Sequence, residues 1–141
     1  KFQRVQGIGE VTEEISGNDI ELWIVLVNPR INVSTQKIFQ SLKERENTGL
    51  GIFKSFKTRE DFIEYLFRQR NDLQVVACEI YPEIKSVLNE ILETKSNLLT
   101  RMTGSGSTCF GLYMKMEDAL RAQENIGKKF RSWWVKYSKA F

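Results

Sequence analysis

The sequence contains no histidine, and this absence removes several kinds of catalytic centre. A Ser/His/Asp triad needs an imidazole base, and histidine is the commonest metal ligand among side chains. The two cysteines, Cys78 and Cys109, lie far apart in apolar segments and lack the CxxC spacing of a metal or redox motif. We therefore expect two buried, reduced thiols, with neither a disulfide framework nor a metal site.

Long hydrophobic runs are also missing. The longest apolar run covers residues 22–27, whereas a membrane-spanning helix needs about 20 residues. The chain opens on a charged residue, Lys1, without the hydrophobic region of a signal peptide. These features predict a cytoplasmic protein without membrane contact, and the absence of an initial Met favours a domain cut from a longer protein.

The composition is that of an ordinary folded domain. At 141 residues, the chain is long enough for one core, so we expect a single domain over residues 1–141. Its net charge of +3 is too small to predict a nucleic-acid partner. The four aspartates stand where turns or helix starts are predicted, which favours structural roles over a catalytic base: Asp19, Asp61, Asp72 and Asp118.

The spacing of apolar residues predicts a mixture of strands and helices. Strands are predicted at 10–15, 22–27, 98–102, 109–114 and 133–137, and helices at 34–43, 58–70, 73–80, 82–92 and 117–130. The segments 73–80 and 82–92 form either a helix pair or one helix kinked at Pro82. The apolar stripes place Phe39, Phe67 and Leu92 on buried faces.

From residue 22 onward, the order strand, helices, strand, strand, helix, strand is the split βαβ pattern. We therefore predict an α+β fold, a ferredoxin-like α/β sandwich with a mainly antiparallel sheet and extra helices in the first crossover. Residues 10–15 would add an edge strand. The segment 44–57 is predicted to be a loop because glycine and asparagine interrupt its apolar pattern.

A glycine-rich loop, Thr103-Gly104-Ser105-Gly106-Ser107, separates two of the predicted strands. Glycines allow successive backbone N–H groups to face one anion, so the loop is a candidate phosphate contact. It lacks the Gly-Lys-Ser/Thr ending of a Walker loop, and a strand follows it instead of a helix. An ordinary hairpin corner explains the same pattern, and both interpretations remain open.

Two other polar segments have a structural and a functional interpretation. Residues 28–35 lie where a buried strand leads into a helix, and a proline with a helix cap accounts for them. Residues 128–137 combine cations with aromatic rings, which is typical of a single-strand nucleic-acid surface. A helix end followed by a half-buried strand explains this second cluster more simply.

Taken together, four motifs resemble the C-terminal half of the GHMP small-molecule kinases. They are Gly7-Ile8-Gly9-Glu10, Val27-Asn28-Pro29 with 31–35 and Ile38-Phe39, Asn71-Asp72-Leu73, and the segment 101–111 around the glycine loop. The resemblance spans nearly the whole chain. Within the family, the sequence is most similar to the kinases of the non-mevalonate isoprenoid route. Homoserine and mevalonate kinases are the alternatives within the family, and the segment 28–35 argues against them.

The resemblance implies a two-domain enzyme that binds ATP, Mg²⁺ and a small-molecule substrate in a cleft. The family's phosphate loop and its catalytic Lys and Asp belong to an N-terminal ATP-binding domain, for which this sequence has no matching positions. Thr103 to Ser107 match the third motif, which supports the phosphate loop across the cleft, and Thr35 matches a threonine near the transferred phosphate. The chain alone is therefore expected to hold no catalytic residue and no metal, and to bind ATP weakly.

Two other classes share the predicted topology. A ferredoxin-like sheet can present aromatic rings such as Phe110 and Tyr113 to single-stranded RNA, although the RNP consensus is absent. A regulatory domain could hold a small metabolite in the glycine loop.

Overall fold

The computed structural model describes residues 2–6, 11–15, 21–42, 58–69 and 71–140. Within these ranges the strands are β1 (Phe2–Gln6), β2 (Val11–Ile15), β3 (Trp23–Asn28), β4 (Leu99–Met102), β5 (Cys109–Tyr113) and β6 (Trp134–Lys139). The helices are α1 (Thr35–Ser41), α2 (Arg59–Arg68), α3 (Asp72–Ile80), α4 (Pro82–Leu92) and α5 (Met116–Lys129). The predicted loop 44–57 lies outside the described residues.

The main sheet has four antiparallel strands in the order β4-β5-β3-β6. Its central strand β3 pairs on both sides, so that Val25 lies opposite Gly111 of β5 and Tyr137 of β6. The chain enters at β3, crosses through α1 to α4, forms the β4–β5 hairpin and returns through α5 to β6. This order confirms the predicted ferredoxin-like topology with extra helices in the first crossover.

The core lies between the sheet and the helices α4 and α5. Val25 and Val27 of β3 are fully buried, whereas Ile24 and Leu26, which point to the other face, are half-buried. The apolar run at 22–27 therefore contributes side chains to both faces of the sheet, of which one is fully covered and the other partly covered. Burying each of these valines contributes roughly 1.5–3 kcal/mol to the free energy of unfolding.

The predicted edge strand at 10–15 does not join the main sheet. Its residues Val11–Ile15 form β2, which pairs antiparallel with β1 in a separate two-stranded sheet. The strand β1, absent from the sequence-based prediction, supplies the partner because Phe2 lies opposite Ile15 and Gln6 opposite Val11. The glycine segment 7–10 lies outside the described residues.

Helix starts follow local capping chemistry. The Ser34 side chain accepts a hydrogen bond from the backbone of α1, and Thr58 does the same for α2. Pro82 occupies the first turn of α4, where its missing N–H costs nothing. Tyr81 separates α3 from α4, so the segment 73–92 forms two helices and not one kinked helix.

Three predicted core positions are wrong. Phe39, Phe67 and Leu92 are 46%, 57% and 64% exposed, respectively. Consecutive helical residues point about 100° apart, so only one of two adjacent apolar side chains can face the core fully. Ile38 and Ile91 take the buried positions beside Phe39 and Leu92, and both are 0% exposed.

Candidate functional site

The glycine-rich loop forms a closed corner between β4 and β5, as predicted. The N–H of Thr103 donates to the Thr108 carbonyl at 2.8 Å, and the N–H of Gly106 donates to the Thr103 carbonyl at 2.9 Å. Gly104 and Gly106 have φ values of +47° and +92°, which L side chains rarely adopt. The Gly106–Ser107 peptide bond is cis.

The end of β3 is tied to one side of this loop by Asn28. Its Nδ2 donates to the Thr108 hydroxyl at 3.0 Å, and the Ser107 hydroxyl donates to its Oδ1 at 3.4 Å. The backbone N–H of Arg30 donates to the same Oδ1 at 2.7 Å. Asn28 thus connects the loop to the turn that leads into α1.

The start of α1 lies against the same loop. The Thr35 Oγ1 and the Ser105 Oγ are 3.4 Å apart, and Thr35 is exposed. The N–H of Ser34 donates to the Tyr81 hydroxyl at 2.9 Å, which ties the helix start to the junction of α3 and α4. The structure therefore places Thr35 beside Ser105, one of the loop residues Thr103–Ser107.

A third contact comes from Asn71, directly before α3. Its Nδ2 donates to the carbonyls of Met102 and Gly104 at 2.9 and 2.8 Å. From the sequence, Asn71 was placed in a family motif between two predicted helices, and its contact with the loop was not predicted. Asn71 and Asn28 both belong to motifs that carry the family resemblance, and this shared membership was the available signal.

The functional groups at this site are mainly hydroxyls, side-chain amides and backbone N–H groups. The amides and N–H groups described above bond within the protein, whereas hydroxyls such as those of Thr35 and Ser105 can donate hydrogen bonds to phosphate oxygens without an acid–base step. In the part of the chain that the structure describes, no three His, Cys, Asp or Glu side chains come together as metal ligands. The arrangement suits positioning more than acid–base chemistry.

A buried thiol lies directly below the loop. The Cys109 Sγ donates to the Ser107 carbonyl at 3.7 Å, and burial raises the pKa of Cys109 to about 12, with Cys78 adding to the rise. Cys78 is half-buried, which corrects the expectation of two buried thiols. Burial raises the pKa of Cys78 as well, while nearby Lys85 opposes the rise.

Three of the four aspartates occupy the structural positions predicted for them. Asp61, Asp72 and Asp118 lie in the first turns of α2, α3 and α5, where a negative charge stabilises the helix dipole. Asp19 lies outside the described residues.

The basic and aromatic cluster at 128–137 is engaged in internal contacts. Lys129 pairs with Glu90 at 2.7 Å, and this hydrogen bond raises the pKa of the Lys129 ammonium. The rings of Phe130 and Trp133 stack with centroids 3.8 Å apart. These contacts favour the structural interpretation of the cluster.

The RNA-binding alternative loses one of its two aromatic rings. Tyr113 is 0% exposed and packs in the main core, so its ring cannot stack on a base. Phe110 is half-buried.

None of the helices in the described ranges combines the length and apolar character needed to cross a membrane.

Solved structures of two small-molecule kinases share this fold. A 4-(cytidine 5'-diphospho)-2C-methyl-D-erythritol kinase aligns with a TM-score of 0.68 and 23% identity over 99% of this chain and 50% of that chain. Homoserine kinase from Cytophaga hutchinsonii aligns with a TM-score of 0.65 and 14% identity, over 91% of this chain and 44% of that chain. At these identities, the likeness establishes the fold.

The sequence family described as GHMP kinases C terminal matches residues 52–132, more than half of the chain. The chain therefore belongs to the GHMP kinase C-terminal family.

Curated relatives extend the similarity to nearly the whole sequence. The 4-diphosphocytidyl-2-C-methyl-D-erythritol kinase of Cereibacter sphaeroides (strain ATCC 17029 / ATH 2.4.9) is 37% identical over 133 residues, which are 94% of this chain and 48% of the relative. The kinase of the same name from Dinoroseobacter shibae is 40% identical over 136 residues, which are 96% of this chain and 47% of the relative. The chain spans about half the length of the curated relatives it matches.

Proposed function

We propose that this chain is the C-terminal half of an ATP-dependent kinase that phosphorylates the hydroxyl of 4-diphosphocytidyl-2-C-methyl-D-erythritol in isoprenoid biosynthesis. The observation that carries the proposal is the convergence of Thr35 and the glycine loop, whose hydroxyls lie 3.4 Å apart at Ser105. The relatives of this name, at 37% and 40% identity, support the choice of substrate.

The proposed role of the glycine loop is to support, from one side of a cleft, the phosphate loop that holds the nucleotide. Phosphoryl transfer depends on phosphates held in line with the accepting hydroxyl, so fixed hydrogen-bond donors at the cleft lower the barrier by positioning. The loop is fixed from two sides by Asn28 and Asn71. Thr35 contributes an exposed hydroxyl close to the phosphate in transit.

The remaining machinery is assigned to a second half of the protein. A phosphate loop, a catalytic Lys and a catalytic Asp would hold ATP with Mg²⁺ there, and this chain would close the cleft. Because both substrates are charged, water-soluble molecules, we place the enzyme in the cytoplasm. The chain alone is then expected to fold, to bind ATP weakly and to catalyse nothing.

The exposed ring of Phe39 is consistent with this arrangement. It lies one helical turn after Thr35 on the same side of α1, and 46% of its surface is exposed. It leaves an apolar surface beside the site that the substrate or the second half of the enzyme can cover.

The test compares the 141-residue chain with the full-length kinase that contains it. ATP-dependent phosphorylation is measured with the diphosphocytidyl alcohol, and homoserine and mevalonate serve as alternative acceptors. We expect the full-length protein to phosphorylate the diphosphocytidyl alcohol and neither homoserine nor mevalonate. Phosphorylation of another acceptor instead would contradict the proposed substrate, and comparable turnover by the isolated chain would contradict the division between two halves.

A further inference from the structure

The side chain of Asn71 uses three hydrogen-bonding positions at once. Its Nδ2 donates to the Met102 carbonyl at 2.9 Å and to the Gly104 carbonyl at 2.8 Å. Its Oδ1 accepts the backbone N–H of Leu73 at 3.1 Å, which caps α3. The two amide N–H groups therefore bond to the glycine loop and to the strand end before it, while the amide oxygen bonds to the helix.

The Met102 and Gly104 carbonyls lie where the glycine loop begins, at the end of a strand. Met102 is the last residue of β4, which lies at the edge of the main sheet. An edge strand has backbone groups without a neighbouring strand, and such groups need other partners. The first turn of α3 provides them, because the Met102 N–H also donates to Gln74 Oε1 at 2.9 Å.

The contact with Gly104 determines where the next residue lies. Gly104 has a left-handed backbone, and its carbonyl is held by Asn71 in that conformation. Ser105 follows directly, and its hydroxyl is the group 3.4 Å from Thr35. A shift of the Gly104–Ser105 peptide would therefore separate the two hydroxyls of the candidate site.

We infer that Asn71 is a positioning residue for phosphoryl transfer: its amide fixes the glycine loop to α3 and thereby sets Ser105 against Thr35. The inference rests on the proposed function, since it assigns Asn71 a role in the same site. In this proposal Asn71 contacts the loop backbone and not the substrate, and it affects the reaction only by holding the loop in place.

The substitution Asn71→Asp separates the two duties of this side chain. A carboxylate is nearly isosteric with the amide and still accepts the Leu73 N–H, so α3 keeps its cap. It has no proton to donate and places a negative charge against two carbonyl oxygens. The matched control is Gln74→Glu, the same change of amide to acid within the same helix, which still accepts the Met102 N–H.

The experiment uses the full-length kinase, with kcat and KM measured for the wild type and both variants. We expect Asn71→Asp to lower kcat by about ten- to hundredfold with a smaller change in KM, because misplacing the hydroxyls that position the phosphate acts on the chemical step. Gln74→Glu is expected to stay within about threefold of the wild type, since its hydrogen bond remains. The activity of Asn71→Asp relative to the wild type should rise as the pH falls, because a protonated carboxyl can again donate.

Hydrogen–deuterium exchange of the peptide covering Thr103–Thr108 gives a readout independent of activity. Exchange should be faster in Asn71→Asp than in the wild type and unchanged in Gln74→Glu. If Asn71→Asp fails to fold, Asn71→Ser replaces it, because serine caps the helix without charge and is too short to hold both carbonyls. Asn71→Ser should show the same loss of kcat and the same faster exchange.

Unchanged kcat in the Asn71 variants would overturn the inference, as would equal losses in Asn71→Asp and Gln74→Glu, which would indicate a general charge effect. If the wild type phosphorylates none of the acceptors, the proposed function fails by itself. The exchange measurement then decides whether Asn71 holds the loop, and unchanged exchange would overturn that as well.

Discussion

Thr35 and Ser105 bring their side-chain hydroxyls to within 3.4 Å of each other although they lie 70 positions apart in the sequence. One begins α1 and the other lies at the tip of the β4–β5 hairpin. The pair lies where the central strand β3 ends, because Asn28 at that end also bonds the loop. The proposed phosphate contact therefore depends on the meeting of a helix start, a strand end and a hairpin.

Removing the Thr35 hydroxyl is expected to impair catalysis in the full-length kinase. A hydrogen bond to a charged group contributes about 1.5–3 kcal/mol, so Thr35→Ala should lower kcat by about ten- to hundredfold. Thr35→Ser keeps the hydroxyl and should stay within about threefold of the wild type. Because Thr35 is exposed, the free energy of unfolding should change by less than about 0.5 kcal/mol. Equal activity of the alanine and serine variants would show that the Thr35 hydroxyl has no role in the reaction.

The two glycines of the loop should differ in their tolerance of a side chain. At Gly106, with φ +92°, a Cβ would lie 3.1 Å from Met102 Sδ and 3.4 Å from Ile84 Cδ1. At Gly104, with φ +47°, a Cβ would meet no atom within 4 Å. We expect Gly106→Ala to cost about 2–3 kcal/mol and Gly104→Ala about 1 kcal/mol in the free energy of unfolding by urea denaturation. Similar losses at both positions would show that backbone conformation, and not space, sets the cost.

Gly111 in β5 is expected to be less tolerant still. A Cβ there would lie 2.5 Å from Ile91 Cγ2 and 2.8 Å from Asn97 Nδ2. Gly111→Ala should therefore cost about 3 kcal/mol through overpacking. Combined with Ile91→Ala, which opens space, the double variant should lose less stability than the sum of the single losses. Additive losses in this double-mutant cycle would mean that the Ile91 contact is not the cause.

The stability of the chain is expected to fall at alkaline pH in part through Cys109. The folded state raises the pKa of this thiol from an ordinary 9.0 to about 12, so it keeps a proton that the unfolded state releases. Its contribution to stability is complete below about pH 9 and is lost as the pH rises toward 12. Cys109→Ala should therefore be less stable than the wild type at neutral pH, by about 1 kcal/mol, and the difference should shrink above pH 9.

The control for this titration is Cys78→Ala, because Cys78 is half-buried. The stability difference between Cys78→Ala and the wild type should depend less on pH. Urea denaturation across the alkaline range measures both differences. A difference for Cys109→Ala that stays constant with pH would contradict the assigned cause.

Local patterns predicted most of the secondary structure, because capping and periodicity are properties of a few adjacent residues. The caps at Ser34 and Thr58 and the restart at Pro82 depend on contacts within one turn of their helix. The same locality limits the prediction of burial. The stripe around Ile38 and Phe39 contains two apolar neighbours, and only packing against the rest of the core selects Ile38 as the buried one.

From β3 onward, the sequence by itself determined the order of strands and helices, and this order is enough for the ferredoxin-like topology, since one short hairpin and right-handed crossovers leave few alternatives. It also marked the glycine loop as a strand-to-strand corner. Only the tertiary structure decided what surrounds that corner. Asn28 lies 80 positions from Thr108, and Asn71 lies 33 from Gly104. Such contacts form only once the sheet has closed around β3, because nothing in the local chain brings these groups together.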